Sequence, residues 1–345
     1  MNTFIKYRCS RGRFALAILL GFSLICSTSA SLRKAVFKEV MKNRDDYQFE
    51  CNPSTSLYSV SMISDGFGNA VGENGTILVR TNGQSWEVQA SPTTQTLYSV
   101  AMASIYFGKA VGKGGIILNR SNGEAWQVET SPTKNTLFSV ILVVNEGYWA
   151  VGEGGTILFN PFSDSWQVVT SPVSNTLFSI SGGIGYKVAV GEGGNIIGYQ
   201  NEQPWQVQTS PTTQTLYSVS MHSANFGHAV GESGTILRRD DGQPWKVQTS
   251  PTTNILYSVF MNSDSFGHAV GEGGVILRRA DGQPWQAQTN PTTNTLRSVS
   301  MNSDAFGHAV GEGGIILQRT DGASWQPNCI AYKFFIPIVL KSISQ

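Results

Sequence analysis

Three series of side chains in this 345-residue chain carry groups that could do chemistry, and each series keeps a spacing near 40 residues. Glu73, Glu153, Glu192, Glu232, Glu272 and Glu312 form the first, with Lys113 in the remaining place. Arg80, Arg120, Arg239, Arg279 and Arg319 form the second, interrupted by Asn160 and Gln200. His228, His268 and His308 each precede Ala-Val-Gly, where other copies carry Asn69, Lys109, Trp149 and Val188. A row of carboxylates suits a cation or a basic partner, or is a solvated turn charge copied with the repeat. The arginines would equally serve by bonding a neighbouring turn carboxylate or carbonyl. One histidine per repeat places the imidazoles too far apart for a single zinc with bonds of ~2 Å. Glycoside hydrolysis needs a singular pair of carboxylates converging on one bond, whereas here almost every carboxylate is a repeated residue. No Ser/His/Asp or Cys/His set stands outside the repeat. The expectation is therefore a protein that is not an enzyme and that uses no cofactor and no metal.

The elements that would position these series follow from the tryptophans. Trp86, Trp126, Trp166, Trp205, Trp245, Trp285 and Trp325 are spaced by 40, 40, 39, 40, 40 and 40 residues, and Leu57, Leu97, Leu137, Leu177, Leu216, Leu256 and Leu296 open seven copies. A fixed period of this length signals stacked supersecondary units. Each copy holds four short β-prone runs, in the fifth at Leu216 to Met221, His228 to Val230, Thr235 to Arg239 and Trp245 to Thr249. The third and fourth runs are joined by Asn82-Gly83, Asn122-Gly123, Asp241-Gly242, Asp281-Gly282 or Asp321-Gly322, the pairs that a type I′ hairpin requires. Four strands around one tryptophan make a propeller blade. The first and last copies are as regular as the middle ones, which favours a closed ring over a solenoid with dissimilar caps. The predicted fold is all-β, a seven-bladed β-propeller over residues 47–329, after a signal peptide at 1–30 and a linker at 31–46 and before a tail at 330–345. Residues 47–53 match the fourth-strand frame, so an extra outer strand is expected at the start of the ring.

Lys6, Arg8, Arg11 and Arg13, then the apolar run from Phe14 to Cys26, then Thr28-Ser29-Ala30 read as a secretory signal. That run is too short to span a bilayer, so export to the periplasm or beyond, without stable membrane insertion, is expected. Without residues 1–30 the 24 basic residues fall to 20 against 23 acidic ones, a formal charge of −3. Such a balance argues against nucleic-acid binding. Only Cys51 and Cys329 would remain, both four residues after the blade's aromatic position, and in an oxidising compartment they are expected to pair and staple the ends of the ring.

The phrase Ala-Val-Gly-Glu-x-Gly-Thr/Ile-Ile-Leu, followed by Arg, Asp/Asn-Gly and Trp, with Leu-x-Ser-Val opening the next copy, resembles the photosystem II stability and assembly factor-like propellers, which are related to Asp-box (BNR) repeat proteins. The resemblance covers residues 47–329. It implies a seven-bladed propeller, exported or lumenal in a photosynthetic host, acting as a non-enzymatic assembly factor for a membrane complex. It also implies a basic patch for partner docking, here Arg80, Arg120, Arg239, Arg279 and Arg319. The chain departs from the family in its turn: Gln243-Pro244 or a similar pair follows a single glycine, and only Asp240, Gly242 and Trp245 keep the Asp-box spacing.

Strand order gives the ring two faces. The Glu series and the blade-to-blade linkers share the first; the arginines and the Asp/Asn-Gly turns share the second. Departure from the repeat concentrates in the third and fourth blades, at residues 145–149, 159–162 and 182–187, which predicts an aromatic patch of Tyr148, Trp149 and Phe162 interrupting the basic rim. The reading that follows is a monomeric, protein-binding scaffold or assembly factor for an envelope or membrane complex. The alternative is a multivalent lectin presenting one weak glycan site per blade.

Overall fold

The structure, a computed structural model, describes residues 47–50, 55–162, 165–328 and 330–333. Contacts divide the chain into two units, of which Gln48–Tyr332 is the larger. Within it the strands form seven antiparallel meanders, as the periodicity predicts. The first blade runs through Leu57–Ser64, Phe67–Gly72, Ile77–Arg80 and Trp86–Gln89. The fifth runs through Leu216–Met221, Gly227–Gly231, Ile236–Arg239 and Lys246–Val247.

The turns take the geometry their residues demand. Asn82 and Gly83 lie at φ 51° and 71°, Asp241 and Gly242 at 48° and 69°, the paired positive values of a type I′ hairpin. The fourth blade places Asn201 and Glu202 there, at φ 49° and 62°, a conformation in which a side chain is strained. Between the second and third strands, Glu73–Gly75 makes a single turn. A Cβ on Gly75 would lie 1.9 Å from the Thr93 carbonyl of the next linker, so this glycine is required by close approach as well as by its positive φ.

A lone meander leaves both faces wet, and the burial pattern shows how stacking solves this. The second strand of each blade, for example Gly267–Gly271, is buried at every residue because neighbours cover both of its faces. Every apolar cluster is shared by two blades. Val71 and Ile77 of the first blade pack with Leu97, Val100, Leu118 and Trp126 of the second. Val310 and Ile316 of the seventh pack with Leu57, Leu78 and Trp86 of the first, which closes the ring. The seven repeat tryptophans are at most 5% exposed, the packing role their period predicts.

The inner edges are closed by hydrogen bonds. Ser59 Oγ accepts from Val100 N at 3.2 Å, and the same bond repeats at each interface, ending with Ser298 Oγ and Val60 N at 3.2 Å. Each first strand would otherwise present unpaired N–H groups to the axis. Two residues farther along, Ser61, Ser181, Ser220 and Ser300 repeat the device, and Ala101, Ile141 and Phe260 occupy the places without a hydroxyl.

The expected extra outer strand forms at Tyr47–Glu50. The stretch expected to begin the tail instead continues the sheet: Ile330–Lys333 pairs in parallel with Trp86–Gln89, and Tyr47–Glu50 lies beyond it. Ile330 is buried against Trp86, and this apolar contact brings the strand from the seventh blade onto the first. Cys51 and Cys329, residues 1–46 with the expected signal and linker, and the stretch from Phe334 to Leu340 lie outside the described residues.

Candidate functional site

The first strands are joined to their counterparts all around the ring, so they line its axis. The residue after each opening leucine is Tyr58, Tyr98, Phe138, Phe178, Tyr217, Tyr257 or Arg297. Neighbouring ring centroids from Tyr58 through Tyr257 are 5.2–5.3 Å apart and tilted by 47–58°. The Arg297 guanidinium carbon lies 4.1 Å from the Tyr257 centroid and occupies the seventh place. All seven residues are partly exposed. This girdle went unremarked in the sequence, although the Leu-Tyr/Phe-Ser-Val phrase contains it, because alternation alone does not say which side of a first strand faces the axis.

The Glu series stands at the same level on the first face. Five of the six turn carboxylates reach the linker that enters their own blade: Ser56 N donates to Glu73 Oε2 at 3.2 Å, Thr136 N to Glu153 Oε2 at 3.1 Å, and Thr215 N to Glu232 Oε2 at 3.0 Å, with Glu192 and Glu272 accepting in the same way. Tyr58 Oη donates to Glu73 Oε1 at 3.1 Å, and Tyr217 Oη to Glu232 Oε1 at 3.3 Å. In the seventh blade Arg297 replaces the phenol and holds Glu312 at 2.5 Å. Burial, with Glu73 beside it, pushes the Tyr58 pKa up to about 12, so the phenol stays a donor at physiological pH.

On the second face each arginine of the series folds back onto its own turn. Arg80 Nη2 donates to the Gly83 carbonyl at 3.0 Å, and Arg120, Arg239, Arg279 and Arg319 make the same bond at 3.4, 3.3, 3.0 and 2.9 Å. Arg319 also donates from Nε to the Asp304 carbonyl. Arg80, Arg279 and Arg319 are buried, and burial lowers the pKa of all five. The structure uses them as turn clamps, and the basic rim they were expected to offer a partner is largely covered.

The aromatic patch expected from the third blade also needs correction. Phe162 is 58% exposed, but Tyr148 and Trp149 are 5% and 4% exposed. Both lie in the second strand Gly147–Gly152, which neighbours cover on both sides. Elsewhere a methionine of the first strand rests on a glycine of the second: a Cβ on Gly68, Gly108, Gly227, Gly267 or Gly307 would lie 2.1–2.4 Å from the sulfur. In the fourth blade the pair is reversed, Gly182 facing Lys187. Lys187 is wholly buried, ion-paired with Glu146, with Nζ 4.7 and 4.5 Å from the Trp149 and Tyr199 centroids. Trp149 in turn stacks on Phe159 at 4.5 Å. Tyr148 on the other side meets a second buried cation, Lys109, paired with Glu129 at 2.6 Å, so the divergence in these blades is a core packed around buried cations.

Large exposed apolar side chains do mark the second face, over a wider arc than expected. Ile63, near the end of a first strand, and Tyr106, Phe107, Val144, Phe162 and Ile184 in the loops are 36–67% exposed, and all belong to blades one to four. The matching loops of blades five to seven carry Asn225, Asp264 and Asp304.

The three histidines are core residues. His228, His268 and His308 are at most 2% exposed and meet Trp285, Trp325 and Trp86 of the following blade edge-on at 5.5–5.8 Å. Burial first, and then an arginine of the following blade, lowers their pKa values to about 3, 4 and 3. Among the described residues no group of three His, Cys, Asp or Glu side chains is placed to hold a metal, and no helix is long and apolar enough to cross a membrane.

No family model matches the chain, and no curated protein matches it in sequence. Solved structures match it in fold. YCF48 bound to D1 peptide is 18% identical, covers 81% of this chain and 96% of its own, and superposes with a TM-score of 0.66. YCF48 from Cyanidioschyzon merolae is 14% identical, with 79% and 98% covered and a TM-score of 0.66. A catalytically inactive virginiamycin B lyase from Staphylococcus aureus, solved with quinupristin, is 11% identical, with 80% and 98% covered and a TM-score of 0.71. At these identities the likeness establishes the fold, one that carries peptide binding in one neighbour and a lyase in another. The chain is a seven-bladed β-propeller similar in fold to YCF48.

Proposed function

We propose that the protein is a non-enzymatic, exported scaffold that docks another protein, in the manner of an assembly factor for an envelope or membrane complex. The observation that carries this reading is the apolar arc on the second face. Six large hydrophobic side chains stand exposed on this face in four consecutive blades, while the matching loops of the other three blades keep only a partly exposed phenylalanine each, Phe226, Phe266 and Phe306, among polar residues. Contiguous exposed apolar surface marks protein interaction sites, and exposed aromatics such as Tyr106 and Phe162 supply the anchors that dominate binding energy. Export rests on the signal-like first 30 residues. Support also comes from YCF48, a fold neighbour whose structure includes a bound peptide.

The test is quantitative crosslinking of the protein in its native envelope fraction, compared with the variant Tyr106→Ser, Phe162→Ser, Ile184→Ser. One protein crosslinked by the wild type and lost in the variant supports the reading; an unchanged crosslinking pattern refutes the arc as the docking face. Glycan-array binding retained by the variant would replace the scaffold with the lectin alternative.

A further inference from the structure

The axial mouth on the first face lies opposite the apolar arc, and its chemistry differs. Six blades each offer an aromatic ring on the first strand, five of them with a glutamate at the end of the second. The seventh blade breaks the series with Arg297, and its placement is informative. Its guanidinium stacks on Tyr257 at 4.1 Å and bonds Glu312 at 2.5 Å. The protein itself therefore shows how a guanidinium is held at this mouth: on an aromatic face, against a rim carboxylate. Cation–π attraction and a charge-assisted bond act together there.

The rest of the mouth suits the same chemistry. Glu192, Glu232, Glu272, Glu312 and Glu73 occupy five consecutive blades around the ring, and among the described residues the cations of this face are Lys113 and Lys134 on the opposite side together with Arg297, already paired. Seven stations about 5.2 Å apart close a ring of roughly 6 Å radius through their centroids, which admits a side chain but not a helix of ~10–12 Å diameter. Phe178, Tyr217 and Tyr58 in the acidic sector remain partly exposed.

We propose that the axial mouth of the first face is a receptor for an arginine side chain carried on an extended segment of a partner protein, seated on the aromatic girdle and against the carboxylates of the fourth to first blades. The occupant is chosen by charge complementarity and by the stacking of Arg297, which a planar guanidinium reproduces and a neutral group does not. This site stands on a different face from the apolar arc and does not depend on it.

The test uses the full chain and a fluorescent, N-acetylated Arg-Gly-Arg-Gly-Arg peptide, read by anisotropy at physiological salt, beside its citrulline counterpart of equal shape and no charge. The arginine peptide is expected to bind about tenfold more tightly than the citrulline peptide, the scale of one desolvated cation–π contact with its carboxylate. Tyr217→Leu and Glu232→Gln should each weaken binding by about threefold to fivefold. Arg297→Tyr, which restores the residue of the fifth and sixth blades and removes the resident cation from Tyr257 and Glu312, should strengthen it by about threefold. Phe162→Ser, on the other face, should leave it unchanged. Equal binding of the two peptides, binding of neither, no gain in Arg297→Tyr, or loss in Phe162→Ser would overturn the proposal. Arg297→Tyr keeps the test decisive even if an aromatic-removing variant fails to fold, because the same frame already holds tyrosine in two neighbouring blades.

Discussion

Replacing His228, His268 and His308 together by asparagine should abolish most of the acid sensitivity of the ring between pH 7 and 5. The folded pKa values of about 3, 4 and 3 lie below the ordinary 6.5 of histidine. Below pH 6.5 the unfolded chain binds protons that the folded chain refuses, so stability falls as pH falls and is recovered as pH rises. Each unit of pH below 6.5 removes about 1.4 kcal/mol per histidine, which at pH 5 is about 2 kcal/mol each and about 6 kcal/mol for the three. A folded domain has only about 5–15 kcal/mol in total, so a loss of this size is decisive. Carboxylates titrate lower and contribute little in this window. Asparagine is the right replacement because the first blade already uses it: Asn69 Nδ2 donates to the Leu78 carbonyl at 3.2 Å and to Gln89 Oε1 at 3.4 Å. The assay is urea unfolding of wild type and H228N/H268N/H308N at pH 7, 6 and 5. The wild-type midpoint should drop steeply and the variant's stay nearly level. Parallel losses in the two proteins would show that the imidazoles are not held neutral by burial, and the argument would fail.

Other changes test the packing and the turns. Glu202→Gly should stabilise the fold by about 1 kcal/mol in thermal unfolding, since it relieves a side chain held at φ 62° where five other blades place glycine. Gly75→Ala should destabilise by several kcal/mol, because the new Cβ would meet the Thr93 carbonyl at 1.9 Å; a melting temperature equal to wild type would refute the close approach. Ser218→Ala leaves Val259 N without its acceptor and should lower stability by about 1–2 kcal/mol in denaturant unfolding. Lys187→Met should lose about 3–5 kcal/mol by leaving Glu146 unpaired, and Lys187→Met with Glu146→Gln should recover much of it.

The period of the tryptophans, the Asn/Asp-Gly turns and the regularity of the end copies were enough to read seven blades and a closed ring, because blade structure is built from contacts within about 40 residues. Side-chain fate across blade interfaces was not legible in the same way. Tyr148 and Trp149 read as departures from the repeat and hence as a surface patch. Trp149 is buried against Lys187 and Tyr199 of the next blade, and Tyr148 against Lys109, Val111 and Ile117 of the preceding one. The arginines read as a basic rim, but each turns back on a carbonyl three residues away, a local bond that the Arg-x-Asp/Asn-Gly spacing permits and only the hairpin geometry selects. The axial girdle lay in plain view in the repeated Leu-Tyr/Phe-Ser-Val phrase and still had no meaning along one chain. Its residues are about 40 positions apart in sequence, and they become neighbours 5.2–5.3 Å apart only because seven first strands converge on one axis. Local spacing and turn chemistry are enough to specify the blade, its turns and the number of copies. Which side chains face the axis, which are buried between blades and which reach solvent depends on neighbours that only ring closure brings together.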